Sequence, residues 1–184
     1  WHLNGMPGSD GKRPTDHGFD VAATFNGPHY GFKPWPEPDT PIPENTYLSD
    51  YMADQALAFV EKNKDRPFFL YLPDFLVHVP QQTKKALLEK YQKKPGVEGH
   101  NSPKYAAMVE ALDASCGRVL NKLDELGLTD NTLVVFLSDN GGVSGKGQTS
   151  NAPLRGGKGQ LLEGGIREPM IARWPGVIAP GSVC

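Results

Sequence analysis

Two short apolar runs, Phe-Phe-Leu-Tyr-Leu at residues 68–72 and Leu-Val-Val-Phe-Leu at residues 133–137, limit most what this chain can fold into. Each is apolar at every position rather than at alternate ones, the pattern of a strand covered on both faces. Residues 170–174 give a third strand. Helical patterns lie between them. Leu48, Met52, Ala56, Phe59 and Val60 recur at helical spacing, so residues 49–63 are expected to form an amphipathic helix with Ser49 as its cap. Residues 82–92 carry a weaker helical pattern, and residues 93–101 read as a loop. Ser102 and Pro103 then supply a cap and a first-turn proline for the best helix in the chain. Its stripe is Tyr105, Met108, Val109, Leu112, Cys116, Val119, Leu120 and Leu123, and Gly127 ends it. Strand, helix, strand order predicts an α/β fold, with a mainly parallel sheet and helices on both faces. In such sheets ligands gather beyond the carboxyl ends of the strands.

With 184 residues, 38% of them hydrophobic, the chain can bury one sizeable core. Its formal net charge of −2 is mixed along the sequence, which offers no basic face to nucleic acid and no polybasic run to a membrane. No apolar run approaches the ~20 residues of a membrane-spanning helix, so membrane insertion is not expected. Cys116 and Cys184 make neither a disulfide framework nor a metal-ligand spacing. Residues 4–43 are rich in Gly and Pro, with Pro34, Pro36, Pro38, Pro41 and Pro43 opposing helix and central strand alike. They are expected to form an irregular surface segment, a natural candidate for a substrate-facing loop. The start at Trp1, without a signal-type segment, gives the expectation of a domain piece cut at both ends, with the compartment left open.

The residues that could do chemistry follow the strands. After residues 133–137 comes Ser138-Asp139-Asn140-Gly141-Gly142, a carboxylate and a carboxamide side by side, then two glycines that let the backbone turn sharply. Adjacent hard oxygen donors suit Ca²⁺ or Mg²⁺. The same pentapeptide serves equally as an Asx-type turn closing a strand. Further on, Gly156, Gly157 and Gly159 bracket Lys158, while Gly164 and Gly165 precede Arg167. A lysine held by such backbone beside a divalent cation is a receptor for a tetrahedral oxyanion, although a lysine among glycines is also simply a solvated loop. After residues 68–72, His78 stands just before Pro80, where it could donate a proton to a leaving oxygen near neutral pH, or be a packed or surface histidine. His17, His29 and His100 lie in loops and are assigned no role.

Taken together, these stretches resemble the type I sulfatases of the alkaline phosphatase superfamily. Trp1-His2-Leu3 is similar to the end of the family's Gly-Lys-Trp-His-Leu-Gly motif, with Asn4 where Gly is usual. His17-Gly18-Phe19-Asp20 is similar to a downstream Gly-Phe-Asp, and Phe69 to Leu72 with His78-Val79-Pro80 to the strand and His-x-Pro loop. Ser138 to Gly142, Leu154-Arg155-Gly156-Gly157-Lys158-Gly159, Glu163-Gly164-Gly165-Ile166-Arg167 and Arg173-Trp174-Pro175-Gly176 complete a colinear series running almost from end to end. The resemblance implies a sulfuric ester hydrolase with an alkaline phosphatase-like fold. It implies that Asp139 and Asn140 bind Ca²⁺, with Mg²⁺ as the alternative, and that Lys158 holds a sulfate oxygen. His78 would contact the sulfate and help protonate the leaving alcohol; His2 would hydrogen-bond the nucleophile and help eliminate sulfate from it.

That nucleophile, in the family, is a formylglycine hydrate made within a Cys/Ser-x-Pro-x-Arg motif, which these 184 residues do not contain. Cys116 lacks the Pro and Arg at the required offsets and reads as a core cysteine. Residues 1–184 are thus expected to be the central part of a sulfatase catalytic domain, inactive by themselves. The resemblance implies a periplasmic or secreted protein and a sulfate ester substrate, with a sulfated carbohydrate favoured over a simple aryl sulfate. Two alternatives remain from the sequence. One is a phosphodiesterase or phosphonate hydrolase of the same superfamily. The other is a non-catalytic module holding a cation or sulfated glycan through Lys158, Arg155 and Asp139.

Overall fold

In the computed structural model, residues 13–143 and 148–183 are described. Their elements in chain order are β1 (Thr24–Asn26), β2 (Lys33–Trp35), α1 (Leu48–Asn63), α2 (Lys85–Gln92), α3 (Pro103–Glu125), β3 (Val134–Leu137), α4 (Glu163–Ile166) and β4 (Met170–Arg173). Both α1 and α2 pack on α3. Leu48, Met52, Ala53, Ala56 and Val60 of α1 are buried, as are Ala107, Met108, Ala111 and Leu123 of α3. Four of these nine are alanines, and small side chains at a crossing let two helices approach closely. Charged pairs close the rim: Arg118 with Asp54 and Lys122 with Glu61 (3.6 Å) join α3 to α1, and Lys90 with Glu110 (2.7 Å) joins α2 to α3.

The ends of α3 follow its local signals. The Ser102 hydroxyl accepts the Tyr105 amide, and Pro103 occupies the first turn. At the far end Gly127 takes a φ of +67°, while Leu128 N donates to Leu123 O and Gly127 N to Asp124 O. That pair of bonds is the Schellman arrangement, which satisfies the last carbonyls of a helix. Helix α1 departs from expectation at its start, because Ser49 is not its cap. The helix already includes Leu48, whose amide donates to the His29 carbonyl (2.9 Å), so a distant segment satisfies this orphan N–H. The buried Ser49 hydroxyl donates to Asp74 Oδ2 at 2.6 Å. Helix α2 begins at Lys85 rather than at residue 82. Gln82 is already committed, its backbone carbonyl to the Tyr47 hydroxyl and its Oε1 to the Tyr30 amide.

The expectation of a mainly parallel sheet is corrected for the described residues, where both strand pairs are antiparallel: β1 with β2, and β3 with β4 in the register Val134↔Arg173 to Leu137↔Met170. Residues 68–72, expected as a strand, form no ladder with the described residues. They turn Phe68 onto Phe59 of α1 and Leu72 onto the core, while Phe69 and Tyr71 are exposed. Val135, Leu137, Met170 and Ile171 are exposed too. An all-apolar run shows that a strand suits burial on both faces, but not which strand lies beside it.

Residues 13–43, expected to be irregular, contain a 3₁₀ turn at Pro14–His17 and the β1–β2 hairpin. Pro34 is tolerated because a two-stranded ribbon leaves each strand an unpaired edge. The hairpin packs inward through Phe32, which is buried with Leu48 and Met52, and through Phe25 against Phe75 (5.5 Å between rings). Its connection places His29 at the start of α1. Among the described residues, no helix is long and apolar enough to cross a membrane.

Candidate active site

The chain brings its candidate residues together in two loops. The first runs from Leu72 to Gln82. Asp74 organises it, receiving Ser49 Oγ on Oδ2 and the Leu76 amide on Oδ1 (3.0 Å), and the His78 amide then donates to Phe75 O (2.9 Å). His78 is exposed, stacked on Phe75 at 5.0 Å. Its Nδ1 lies 2.9 Å from the Val79 carbonyl. A carbonyl only accepts, so Nδ1 carries a proton and Nε2 is the nitrogen left for a ligand. Held this way, the ring can act as a proton donor from Nε2 only as the imidazolium, with Nε2 carrying the second proton.

The second loop system joins residues 138–143 to residues 149–165. Gly141 N donates to Gly165 O (3.3 Å), and Lys158 N donates to Gly142 O (3.1 Å). Gly164 N in turn donates to Arg155 O at 2.8 Å. A Cβ on Gly141 would stand 1.8 Å from Gly164 O, so only glycine permits the approach. Gly164 and Gly165 likewise lie against backbone carbonyls, of Arg155 and Gly156 and of Gly157 and Gln160, so these glycines bring backbone onto backbone.

Asn151 locks this junction. Its Oδ1 accepts the Gly142 amide (3.1 Å), and its Nδ2 donates to both Gly142 O (2.9 Å) and Gly156 O (3.0 Å). One carboxamide thus holds the turn after β3 against the loop that carries Lys158. Sequence reasoning passed over this residue, although an Asn before the Ala152-Pro153 step is a turn signal of the ordinary kind.

Asp139 is exposed and Asn140 half-buried. Asn140 Nδ2 donates to Gly141 O (3.0 Å), a bond that does not use Oδ1, the hard donor. The donor chemistry fits a hard divalent cation, and it supplies two of the 6–8 oxygens Ca²⁺ takes. No cluster of three or more His, Cys, Asp or Glu suited to a metal occurs among the described residues. Lys158 is exposed, and among the described residues its ammonium has no ion-pair partner. His2 lies outside the described residues.

Gln81 and Gln148 connect the two systems, Nε2 of the first donating to Oε1 of the second at 3.0 Å. Beside them the buried Thr149 meets His100 Nδ1 at 3.1 Å, so His100 anchors the stretch leading to Asn151. His29, also assigned no role from sequence, is fully buried and donates from Nε2 to the His78 carbonyl. Cys116 is half-buried in α3, and burial pushes its thiol up, as suits a core cysteine and not a nucleophile.

Known proteins bear on this arrangement. The family model described as Sulfatase matches residues 1–183. A sulfatase of Formosa agariphila is 40% identical over 164 residues, covering 83% of this chain and 29% of that protein. Human N-acetylgalactosamine-6-sulfatase is 32% identical over 209 residues, covering 100% of this chain and 37% of that protein. Among solved structures, Ps i-CgsB in complex with k-i-k-neocarrahexaose superposes with a TM-score of 0.77 at 31% identity, over 96% of this chain and 43% of that one. The chain therefore spans about a third of the length of these curated relatives. The family model covers nearly the whole chain and the α/β fold is that of solved sulfatases, so the chain belongs to the sulfatase family.

Proposed function

We propose that this chain supplies the leaving-group and sulfate-holding parts of a sulfuric ester hydrolase acting on a sulfated carbohydrate, as the central part of its catalytic domain. The observation that carries the reading is the Asn151-locked junction. It sets the Lys158 backbone on Gly142, next to the Asp139-Asn140 pair, while Gln81 and Gln148 tie in the His78 loop.

In the net reaction, water adds across the sulfate S–O bond to give an alcohol and sulfate. Lys158 places its ammonium on a sulfate oxygen and offsets charge that grows as the bond breaks. As the imidazolium, protonated on both nitrogens, His78 gives its Nε2 proton to the leaving oxygen and is left neutral with Nδ1–H on Val79 O, so that an alcohol departs and not an alkoxide. Asp139 and Asn140 would hold a divalent cation, Ca²⁺ by the hardness of their oxygens, and such a cation supplies further charge neutralisation at the ester oxygens. The attacking oxygen would come from a formylglycine, the nucleophile expected from the family, which is not among these 184 residues. His2 is assigned to hold a proton during sulfate release.

The carbohydrate preference rests on the names of relatives, one a sulfatase of N-acetylgalactosamine 6-sulfate and another bound to a carrageenan-type oligosaccharide. Sulfate release from sulfated oligosaccharides by the full-length protein tests it. His78→Ala should lower kcat by about 10²-fold or more, and Lys158→Ala by about 10²- to 10³-fold. Faster hydrolysis of phosphate diesters than of any sulfate ester would replace the reading with a phosphodiesterase.

A further inference from the structure

We infer that His29 is a positioning residue for His78, its imidazole holding the His78 backbone in the attitude from which that side chain protonates the leaving group. The inference rests on the proposed role of His78 as proton donor.

His29 has 0% exposure, and its Nε2 lies 2.9 Å from His78 O across 49 residues of chain. A carbonyl accepts only, so Nε2 carries the proton and Nδ1 a bare lone pair. That Nδ1 is buried and has no hydrogen-bond partner among the described residues. A buried nitrogen left unpaired is destabilising, and an apolar ring would fill the same space without that penalty. Packing by itself therefore gives no reason for a histidine here. The hydrogen bond to His78 does.

The same residue is tied to a rigid element from its other side. His29 O accepts the first amide of α1, from Leu48, at 2.9 Å. The main chain of His29 is thus fixed to a helix start, and its side chain reaches from there to His78. Phe75 fills the angle between the two imidazoles, 4.8 Å from the His29 ring and 5.0 Å from that of His78. Burial lowers the proton affinity of His29, which keeps it a neutral donor with one fixed tautomer.

A residue that acts through a proton donor leaves a kinetic mark that general loosening does not. Protonation matters for a poor leaving group such as a sugar alcohol, and little for 4-nitrophenolate, which departs readily as an anion. In the full-length protein, His29→Leu should lower kcat on a monosaccharide sulfate about tenfold more than on 4-nitrophenyl sulfate, since a small misplacement of a catalytic group carries a penalty of this order. His29→Gln, whose amide reaches the position of Nε2, should restore most of that difference. His29→Asn, with the same chemistry but a shorter reach, should not. Should His29→Leu fail to fold, the Gln and Asn pair carries the test. Equal losses on both substrates, or equal behaviour of Gln and Asn, would overturn the positioning role. Leaving-group dependence present in His78→Ala but absent from the His29 variants removes this inference alone. Its absence from both removes the reading of His78 as proton donor, and the inference with it.

Discussion

Around His78 the chain is fixed by side chains that reach in from elsewhere: His29 to a carbonyl, Ser49 to Asp74, Tyr47 to Gln82. Around Asp139 and Lys158 it is fixed by main chain lying on main chain, with one side chain, Asn151, spanning the gap. The two systems should fail differently. A loop held by side chains loses one contact at a time, and its neighbours can relax around the gap. A junction of glycine backbones has no slack, because any added atom displaces a peptide.

The largest effect is accordingly expected at Gly141→Ala. The new methyl would meet Gly164 O at 1.8 Å and Gly164 C at 2.8 Å, and both are backbone atoms. A destabilisation of about 3 kcal/mol, the upper end for overpacking, is expected in urea denaturation. Loss of less than about 1 kcal/mol would show that the junction yields, and the contrast between the two loops would go with it.

Asn151→Ala comes next. It removes three hydrogen bonds and leaves the Gly142 amide without its acceptor. About 2 kcal/mol is expected, since the stranded donor adds to the bonds lost. Activity of the full-length protein should fall with it, because Lys158 and the Asp139-Asn140 pair lose their common clamp. Unchanged kcat at full stability loss would show that the clamp serves folding alone.

The side-chain-held loop should show itself through pH. Burial lowers the pKa of His29 below its ordinary 6.5. In acid the unfolded chain binds a proton there that the native state refuses, so protons favour unfolding. Stability should fall as pH drops from about 6.5 towards the lowered native value, by at most about 1.4 kcal/mol per pH unit from this group. Comparing denaturation midpoints at pH 7 and pH 5 for the parent and His29→Leu isolates the term. An equal acid slope in both proteins would refute it.

The same contrast explains how much could be read from sequence. Helix α3 was legible to the residue at its start, since Ser102, Pro103 and Gly127 act within one turn of where they stand. The turn after β3 was legible as a polar pair with glycines for a related reason. Strand pairing was not, because an apolar run says nothing about which edge it meets, and β3 found β4 antiparallel. Ser49 looked like a cap and was not, because the helix starts one residue before it, at Leu48, whose amide donates to the His29 carbonyl 19 residues upstream. His29 and Asn151 escaped notice since their partners are set by the tertiary fold, 49 residues away in one case and nine in the other.

The smallest effect tests whether the two systems are separately held. Gln81 and Gln148 share one half-buried hydrogen bond of 3.0 Å, the bond that ties the His78 loop to the stretch before Asn151. Gln81→Ala should remove only about 0.5–1 kcal/mol, the ordinary net value of a neutral pair with water at hand. If each loop holds itself, the destabilisations from Gln81→Ala and Asn151→Ala add to within about 0.5 kcal/mol in the double variant. A larger coupling would mean that Asn151 supports His78 through Gln148, so that side-chain and backbone systems are one cooperative unit. The expected result is additivity in stability with a loss in kcat/KM greater than either single change gives. The bond then sets where His78 stands relative to Lys158, and does little to keep either loop folded.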